Sequence, residues 1–313
     1  MTTPAPAGGP ALTAIVPATN SPATLEACVE AISSAHSPPE QVVVVETPVG
    51  AGPAAARNAG ALQAHGDVLV FVDADVLVHA DAFTRIRAVF AADPGLTALF
   101  GSYDAAPAAP GRVSAFRNLL HHHVHQSSPG PASTFWAGLG AVRREPFAAV
   151  AGFDAVRFPK PSVEDIELGL RLAAAGRRVV LDPELQGTHL KRWTLLSMLR
   201  TDFGSRGVPW VRLLLEQGRG STALNLGWAH RVSAALALAA TAAAIGRRPR
   251  AAAAALAGLV VLNRSFYALL WRVRGPGEAT LGVPLHVAHH LAAIAAVPVG
   301  SGRHARAAAR ARR

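Results

Sequence analysis

The chain has 313 residues, half of them apolar but only 6% aromatic and 16% charged, with one cysteine and a formal charge of +10. That is enough chain for a substantial core and too apolar for disorder, and the lone Cys28 excludes a disulfide framework or a cysteine-based zinc site. The charge is unevenly spread: residues 1–218 sum to −2, whereas residues 219–313 contain 13 arginines and a single acid, Glu278, summing to +12.

In chain order, residues 1–10 read as a loose tail. The tail lacks the basic and apolar regions of a signal peptide, which places the first domain in the cytoplasm. Leu12–Pro17 is a buried strand closed by proline. Residues 24–35 have helical spacing at Leu25, Cys28, Val29 and Ile32. QVVVVE (41–46) is a β-branched strand, 52–65 an Ala-rich helix, VLVFV (68–72) a third strand and 82–92 a helix. Alternating strands and helices over about 80 residues predict right-handed βαβ units in a mostly parallel sheet, Rossmann-like, with helices on both faces. Continuous apolar strands fit that burial.

In such a sheet ligands bind beyond the carboxyl ends of the strands. Pro17 and Thr19 stand at the first end, Glu46 at the second, and Asp73-Ala74-Asp75 at the third. Two acids at i and i+2 after a strand can hold a divalent cation through oxygen. Farther on, Glu164-Asp165 opens a helix closed by Gly176. An S-x-x-D cap from Ser162 and attraction to the helix dipole are the purely structural explanation of these acids.

The segments AIVPATN, VVVVE, GPAAARNAGALQAHGDVLVFVDAD, GAVRREPFAAVAGFD, EDIELGLRLAAAGRRV and HLKRW occur in this order. Over residues 12–215 they resemble the family 2 glycosyltransferases of GT-A fold, in particular membrane-associated members with a Q-x-x-R-W motif. The resemblance implies transfer from a nucleotide-diphosphate sugar with Mn2+ or Mg2+ as cofactor. It places Pro17, Thr19, Glu46, Asp73, Arg57 and Arg192 around the donor, and Asp73 and Asp75 on the metal. Asp165 becomes the general base, with Glu164, Trp136, His189 and Trp193 toward the acceptor. Glu46 replaces the usual Asp of the second strand end, and His189 the Gln of the motif. For Arg57 the alternative is a solvated helix face; for both tryptophans it is core packing.

His121, His122, His123 and His125 read as a polar helix face rather than a zinc site, since no cysteine or acid completes a set. Residues 195–217 mix apolar residues with arginines, broken by Gly204, Gly207 and Pro209, as two amphipathic helices at a membrane interface would. Beyond them, 232–246 is uncharged but only roughly 22 Å long as a helix. Residues 251–271 are long enough to span but contain Arg264, and 279–299 hold no formal charge. Two spans plus one in-plane or partial helix suit the Arg-rich tail best. A soluble helical bundle is the alternative.

The expectation is thus an α/β domain at 11–218 with interface helices at 195–217, followed by a helical, membrane-associated region at 219–313. The acceptor is lipid-linked or a glycan met at the cell membrane. Nucleic acid is not expected as a partner, since neither aromatic interleaving nor a known binding module accompanies the arginines. Two rivals are a nucleotidyltransferase, which would need neither Glu164-Asp165 nor the Arg192-Trp193 element, and a non-catalytic nucleotide-sugar-binding scaffold.

Overall fold

The computed structural model describes residues 9–217 and 227–311. Most of the expected tail, and the expected boundary at 218/219, lie outside the described residues. The chain divides into two compact units, residues 1–108 with 125–191, and residues 109–124 with 192–313.

In the first unit the expected elements form with boundaries moved by a residue or two: β1 (Leu12–Pro17), α1 (Leu25–Ser33), β2 (Gln41–Val45), α2 (Pro53–Gln63) and β3 (Val68–Val72). β4 (Val76–Val78), α3 (Ala82–Ala92) and β5 (Leu96–Tyr103) follow. After α4 (Arg112–Gln126), most of which belongs to the second unit, come β6 (Gly130–Ala132), β7 (Leu139–Arg143), α5 (Arg144–Ala149), α6 (Glu164–Ala174) and β8 (Arg178–His189). Gly52 and Pro53 start α2, proline being pre-set for a first helical turn. Gly60 lets α2 lie against β1, because a Cβ there would strike Ile15.

The sheet runs β2-β1-β3-β7-β5-β8-β4, with β6 on β8. β1, β2 and β3 are parallel, as expected. β7 then enters antiparallel between β3 and β5, and β4 and β6 pair antiparallel with β8. The sheet is therefore mixed, with three parallel and four antiparallel pairings among the described strands, and helices still separate most of the strands that follow β3. Val70, Val72, Leu99 and Leu139 of the sheet share one core with Phe83 of α3.

This topology fixes one edge. β5 opposes β7, β7 opposes β3, and β8 is parallel to β5. Hence β1, β2, β3, β5 and β8 all end on the same side, and β7 begins there, Leu139 facing Val72.

The second unit is helical. α7 (Leu195–Arg200), a π-helical turn over Thr201–Gly207 and α8 (Val208–Gln217) form one run where two separate helices were expected. Pro209 does not interrupt it, because it stands in the first turn of α8, where its missing N–H costs least. α9 (Trp228–Ile245) follows the undescribed segment. The expected 251–271 helix is α10 (Pro249–Leu262) and α11 (Arg264–Arg274), bent by 77° at Asn263. α12 (Pro276–Ala311) absorbs both 279–299 and most of the arginine tail. Among the described residues, two helices are long and apolar enough to cross a membrane, or three if the bent pair counts as one.

Candidate active site

The common edge gathers the strand-end residues. Thr19 is buried, donates its hydroxyl to the Ala51 carbonyl, and accepts the Gly50 amide on its own carbonyl at 2.8 Å, pinning the loop after β2 to the end of β1. Pro17 ends β1 opposite Val45. Glu46 is exposed just beyond β2.

Asp73 and Asp75 follow β3. The Asp73 amide donates to the Gly138 carbonyl at 3.0 Å, which holds the start of β7 against the acidic turn. Gly138 is needed there, because a Cβ would meet the Trp136 indole.

Arg57 is the centre of the charge network. It projects from α2, is 4% exposed, and so is not on a solvated helix face. One guanidinium nitrogen donates to Asp73 Oδ1 at 2.6 Å, and the other terminal nitrogen to Glu164 Oε1 at 3.0 Å. Its guanidinium also lies 5.4 Å from the Phe153 ring centre. Burial alone would weaken its charge, but Asp73, Glu164 and Asp165 hold it protonated, with a pKa above the ordinary value.

Glu164 and Asp165 start α6. Ser162 does not cap this helix; Val163 occupies the N-cap without a side-chain bond. Instead the Ser162 amide donates to Glu164 Oε2 at 2.8 Å, so both Glu164 oxygens are committed to protein donors. The expected C-terminus does form: Gly176 has φ +71°, and the amides of Gly176 and Arg177 return to the Ala173 and Leu172 carbonyls. Asp165 Oδ1 accepts the Ile166 amide at 2.8 Å, and Oδ2 the Ala137 amide at 3.3 Å. Burial, reinforced by Glu164 and opposed by Arg57, pushes its carboxyl up to about 6.

His189 arrives by register. β4 and β8 pair so that Val76 faces His189, and the Leu190 amide donates to the Asp75 carbonyl at 2.8 Å. His189 Nε2 thereby sits 3.6 Å from Asp75 Oδ2. Tyr103, the last residue of β5, stacks on the imidazole with centres 4.1 Å apart and planes 11° apart. Trp136 meets Tyr103 edge-on at 4.9 Å, and His125 meets Trp136 at 5.5 Å. His125 is buried beside the Gly101 carbonyl at 2.8 Å, so this member of the histidine run is core rather than polar surface.

The two neighbouring aspartates differ. Burial raises Asp75, but the His189 contact and the charges of His189 and Lys191 outweigh it and leave its pKa below the ordinary value. Enclosure raises Asp73 further than Arg57 lowers it, with Asp75 and Glu164 adding to the rise. Cys28 lies beneath the same turn, its Sγ 3.5 Å from the Asp73 carbonyl; burial and these aspartates push the thiol up to about 12, so it is no nucleophile.

Asp73 and Glu164 thus share one buried guanidinium, Asp165 adds a further carboxylate beside it, and Asp75 faces His189. Such an excess of carboxylate fits a divalent cation, and the facing Asp75 oxygen and His189 nitrogen are the donors best placed to hold it. Asp73, expected as a second ligand, already carries Arg57 on Oδ1. Arg192 and Trp193 belong to the second unit. Arg192 is exposed there. Trp193 is buried, its amide donating to Ser114 Oγ at 2.9 Å and its ring lying 5.5 Å from the Arg117 guanidinium. Tyr103 escaped the sequence reading, although it ends an eight-residue buried strand at this same edge.

No curated protein matches the chain in sequence. Among solved structures, a mannosyltransferase from Pyrobaculum calidifontis, in complex with GDP-Man and Mn2+, is similar with a TM-score of 0.55 and 20% identity, over 95% of this chain and 89% of that one. GalNAc-T7 with UDP, GalNAc and Mn2+ is similar at a TM-score of 0.47 and 15% identity, over 67% of this chain and 48% of that one. Residues 30–150, which carry the strand ends of β2 and β3, Arg57 and Trp136, match the model of glycosyl transferase family 2, and the fold is that of the GT-A glycosyltransferases.

Proposed function

We propose that this protein is an inverting, metal-dependent glycosyltransferase that moves a sugar from a nucleotide-diphosphate sugar to a hydroxyl acceptor met at a membrane. The observation that carries this reading is Arg57, which joins the strand-end acid Asp73 to Glu164 and so brings the donor-side carboxylates and Asp165 to one cleft. The family match and the Mn2+-bound relatives support the donor class and the metal.

The nucleoside side of the donor lies over Pro17, Thr19, Glu46 and Asp73. Asp75 and His189 would hold Mn2+ or Mg2+, with Asp73 completing the acidic turn. Bound there, the cation supplies Lewis-acid compensation for the charge that builds on the departing diphosphate. Asp165 accepts the proton of the acceptor hydroxyl as its oxygen bonds to the anomeric carbon. The bond from that carbon to the phosphate oxygen breaks, its electron pair leaving with the nucleoside diphosphate, and a single displacement inverts the centre. The raised pKa of Asp165 makes it a stronger proton acceptor while leaving it ionised at neutral pH. The Ala137 amide aims one of its oxygens. Glu164 positions Arg57, and Trp136 offers a face to the acceptor.

The membrane attachment rests on the second unit. Trp228, Val232, Ile245, Val261 and Trp271 are exposed apolar side chains on its helices. Large apolar surface of this kind belongs against lipid or protein. The 77° bend between α10 and α11 suits a partial or re-entrant pair flanked by two spans, α9 and α12, an even number of crossings that suits an arginine-rich tail under the positive-inside rule.

The test is a survey of nucleotide sugars with Mn2+, following release of nucleoside diphosphate and the melting temperature. One nucleotide is expected to stabilise the protein by mass action, and its sugar to be transferred or slowly hydrolysed. Tight nucleotide binding without turnover of any sugar would instead favour a scaffold.

A further inference from the structure

The helical unit holds a group of imidazoles that the sugar-transfer reading does not use. His230 lies in the first turn of α9, and His286, His289 and His290 lie on adjoining turns of α12. One ring nitrogen each from His230, His289 and His290 falls within 4.8 Å of the others. The ring centres are 4.8 Å apart for His230 and His290, and 5.3 Å for His289 and His290.

Two further features point to a ligand. His290 is 1% exposed, yet neither of its ring nitrogens has a hydrogen-bond partner among the described residues. A buried polar group left in that state costs free energy, and native structures ordinarily satisfy it. His289 is oriented from behind: its Nδ1 lies 2.8 Å from Asp202 Oδ2. A carboxylate only accepts, so Nδ1 carries a proton, and the neutral ring then has its lone pair on Nε2. Asp202 is itself held by Arg117 at 2.8 Å, on the π-helical turn between α7 and α8. A carboxylate behind an imidazole is the usual outer support of a metal-bound histidine.

We propose that His230, His289 and His290 form a binding site for one divalent transition-metal ion of the zinc class. Three nitrogen donors without a carboxylate favour zinc, cobalt, nickel or copper over magnesium or manganese. Three protein ligands leave a fourth position for water or another donor. The ion ties α9 to α12, so it stabilises that pair of helices. His286 stands outside the set: its Nδ1 pairs with the Tyr267 hydroxyl at 3.0 Å, and its ring stacks on His290 at 4.5 Å.

Co2+ is the probe, added to the full detergent-solubilised chain carrying Asp75→Ala so that the strand-end acids do not compete. The expected result is one retained equivalent of Co2+ with tetrahedral visible absorption, displaced by Zn2+. His230→Ala and His290→Ala should each abolish the absorption, while His286→Ala should keep it. Asp202→Asn should weaken Co2+ binding by about 10–100-fold. Failure of the Asp75→Ala chain to retain Co2+ would overturn the site, and this measurement needs no altered histidine, so misfolding of a variant does not shield the proposal. Retention of the unchanged spectrum in both His230→Ala and His290→Ala would overturn it equally.

Discussion

The two units treat their polar interiors in opposite ways. At the strand-end edge of the α/β unit, four carboxylates gather where Asp73 and Glu164 share the one buried guanidinium of Arg57, and Asp73 and Asp75 keep 32% and 28% of their side chains exposed. In the helical unit the buried acid Asp202 is balanced by Arg117 and His289, and the buried His290 has no hydrogen-bond partner on either ring nitrogen among the described residues. An open, net-negative edge attracts a hard cation together with the phosphates that share it. A closed, uncharged nitrogen cluster selects a softer ion and holds it without a substrate. Within one chain, the chemistry of the buried polar atoms separates a site built for turnover from one built for support.

The sharpest way to break this contrast is at the base. Asp165→Asn preserves size and keeps an oxygen for the Ala137 amide but removes the proton acceptor. Transfer should fall by about 10²–10⁴-fold while nucleotide affinity stays close to that of the parent. If nucleotide binding disappears together with turnover, Asp165 belongs to the donor pocket and the assignment as base fails. Arg57→Ala comes next, because it leaves the buried Glu164 and the half-buried Asp73 without their cation. A loss of about 3–5 kcal/mol in stability is expected, read as a lowered melting temperature, with partial recovery when Glu164→Gln is added. A melting temperature equal to the parent's would show that the bridge is not structural. His189→Ala should weaken Mn2+-dependent stabilisation by nucleotide at least about tenfold, as loss of a metal ligand or its support does. If that stabilisation survives intact, the cation is held by the aspartates alone.

What the sequence revealed follows from how far each contact reaches along the chain. The acids at the ends of β2 and β3 were legible because continuous apolar runs announce buried strands, and ligands collect at their carboxyl ends. α6 was legible at both ends, through Glu164 and Gly176, though its N-cap was misassigned: Ser162 bonds through its amide to Glu164 rather than through its hydroxyl to the helix. Arg57 looked ambiguous because Ala and Gly around it give little amphipathic contrast; only packing on β1 turns it inward. The His189–Asp75 pair was invisible as geometry, since it depends on the antiparallel register of a three-residue strand, β4, with β8. The same holds for Tyr103, which stands at the edge only because β7 enters antiparallel and keeps β5 aligned with β3. The histidines of α12 stand in a stretch without formal charge, and nothing in their spacing points to His230, which only the packing of α9 with α12 brings to them.

The smallest expected effect tests the cause of the Asp165 shift rather than its existence. With its carboxyl near pH 6, Asp165 is ionised above that pH and protonated below it, so kcat/KM should be flat on the alkaline side and fall about tenfold per unit on the acid side. Burial is the larger cause of the shift and the charge of Glu164 the second, while Arg57 opposes both. Glu164→Gln removes the repulsion and leaves Arg57 less divided between carboxylates. The acid limb should therefore move to lower pH, but by only part of the distance to an ordinary aspartate, because the burial remains. A limb that stays in place would assign the whole shift to desolvation. A limb that moves to higher pH would mean that Glu164 acts mainly by holding Arg57 close to Asp165, so that losing the bridge withdraws the positive charge faster than it removes the negative one.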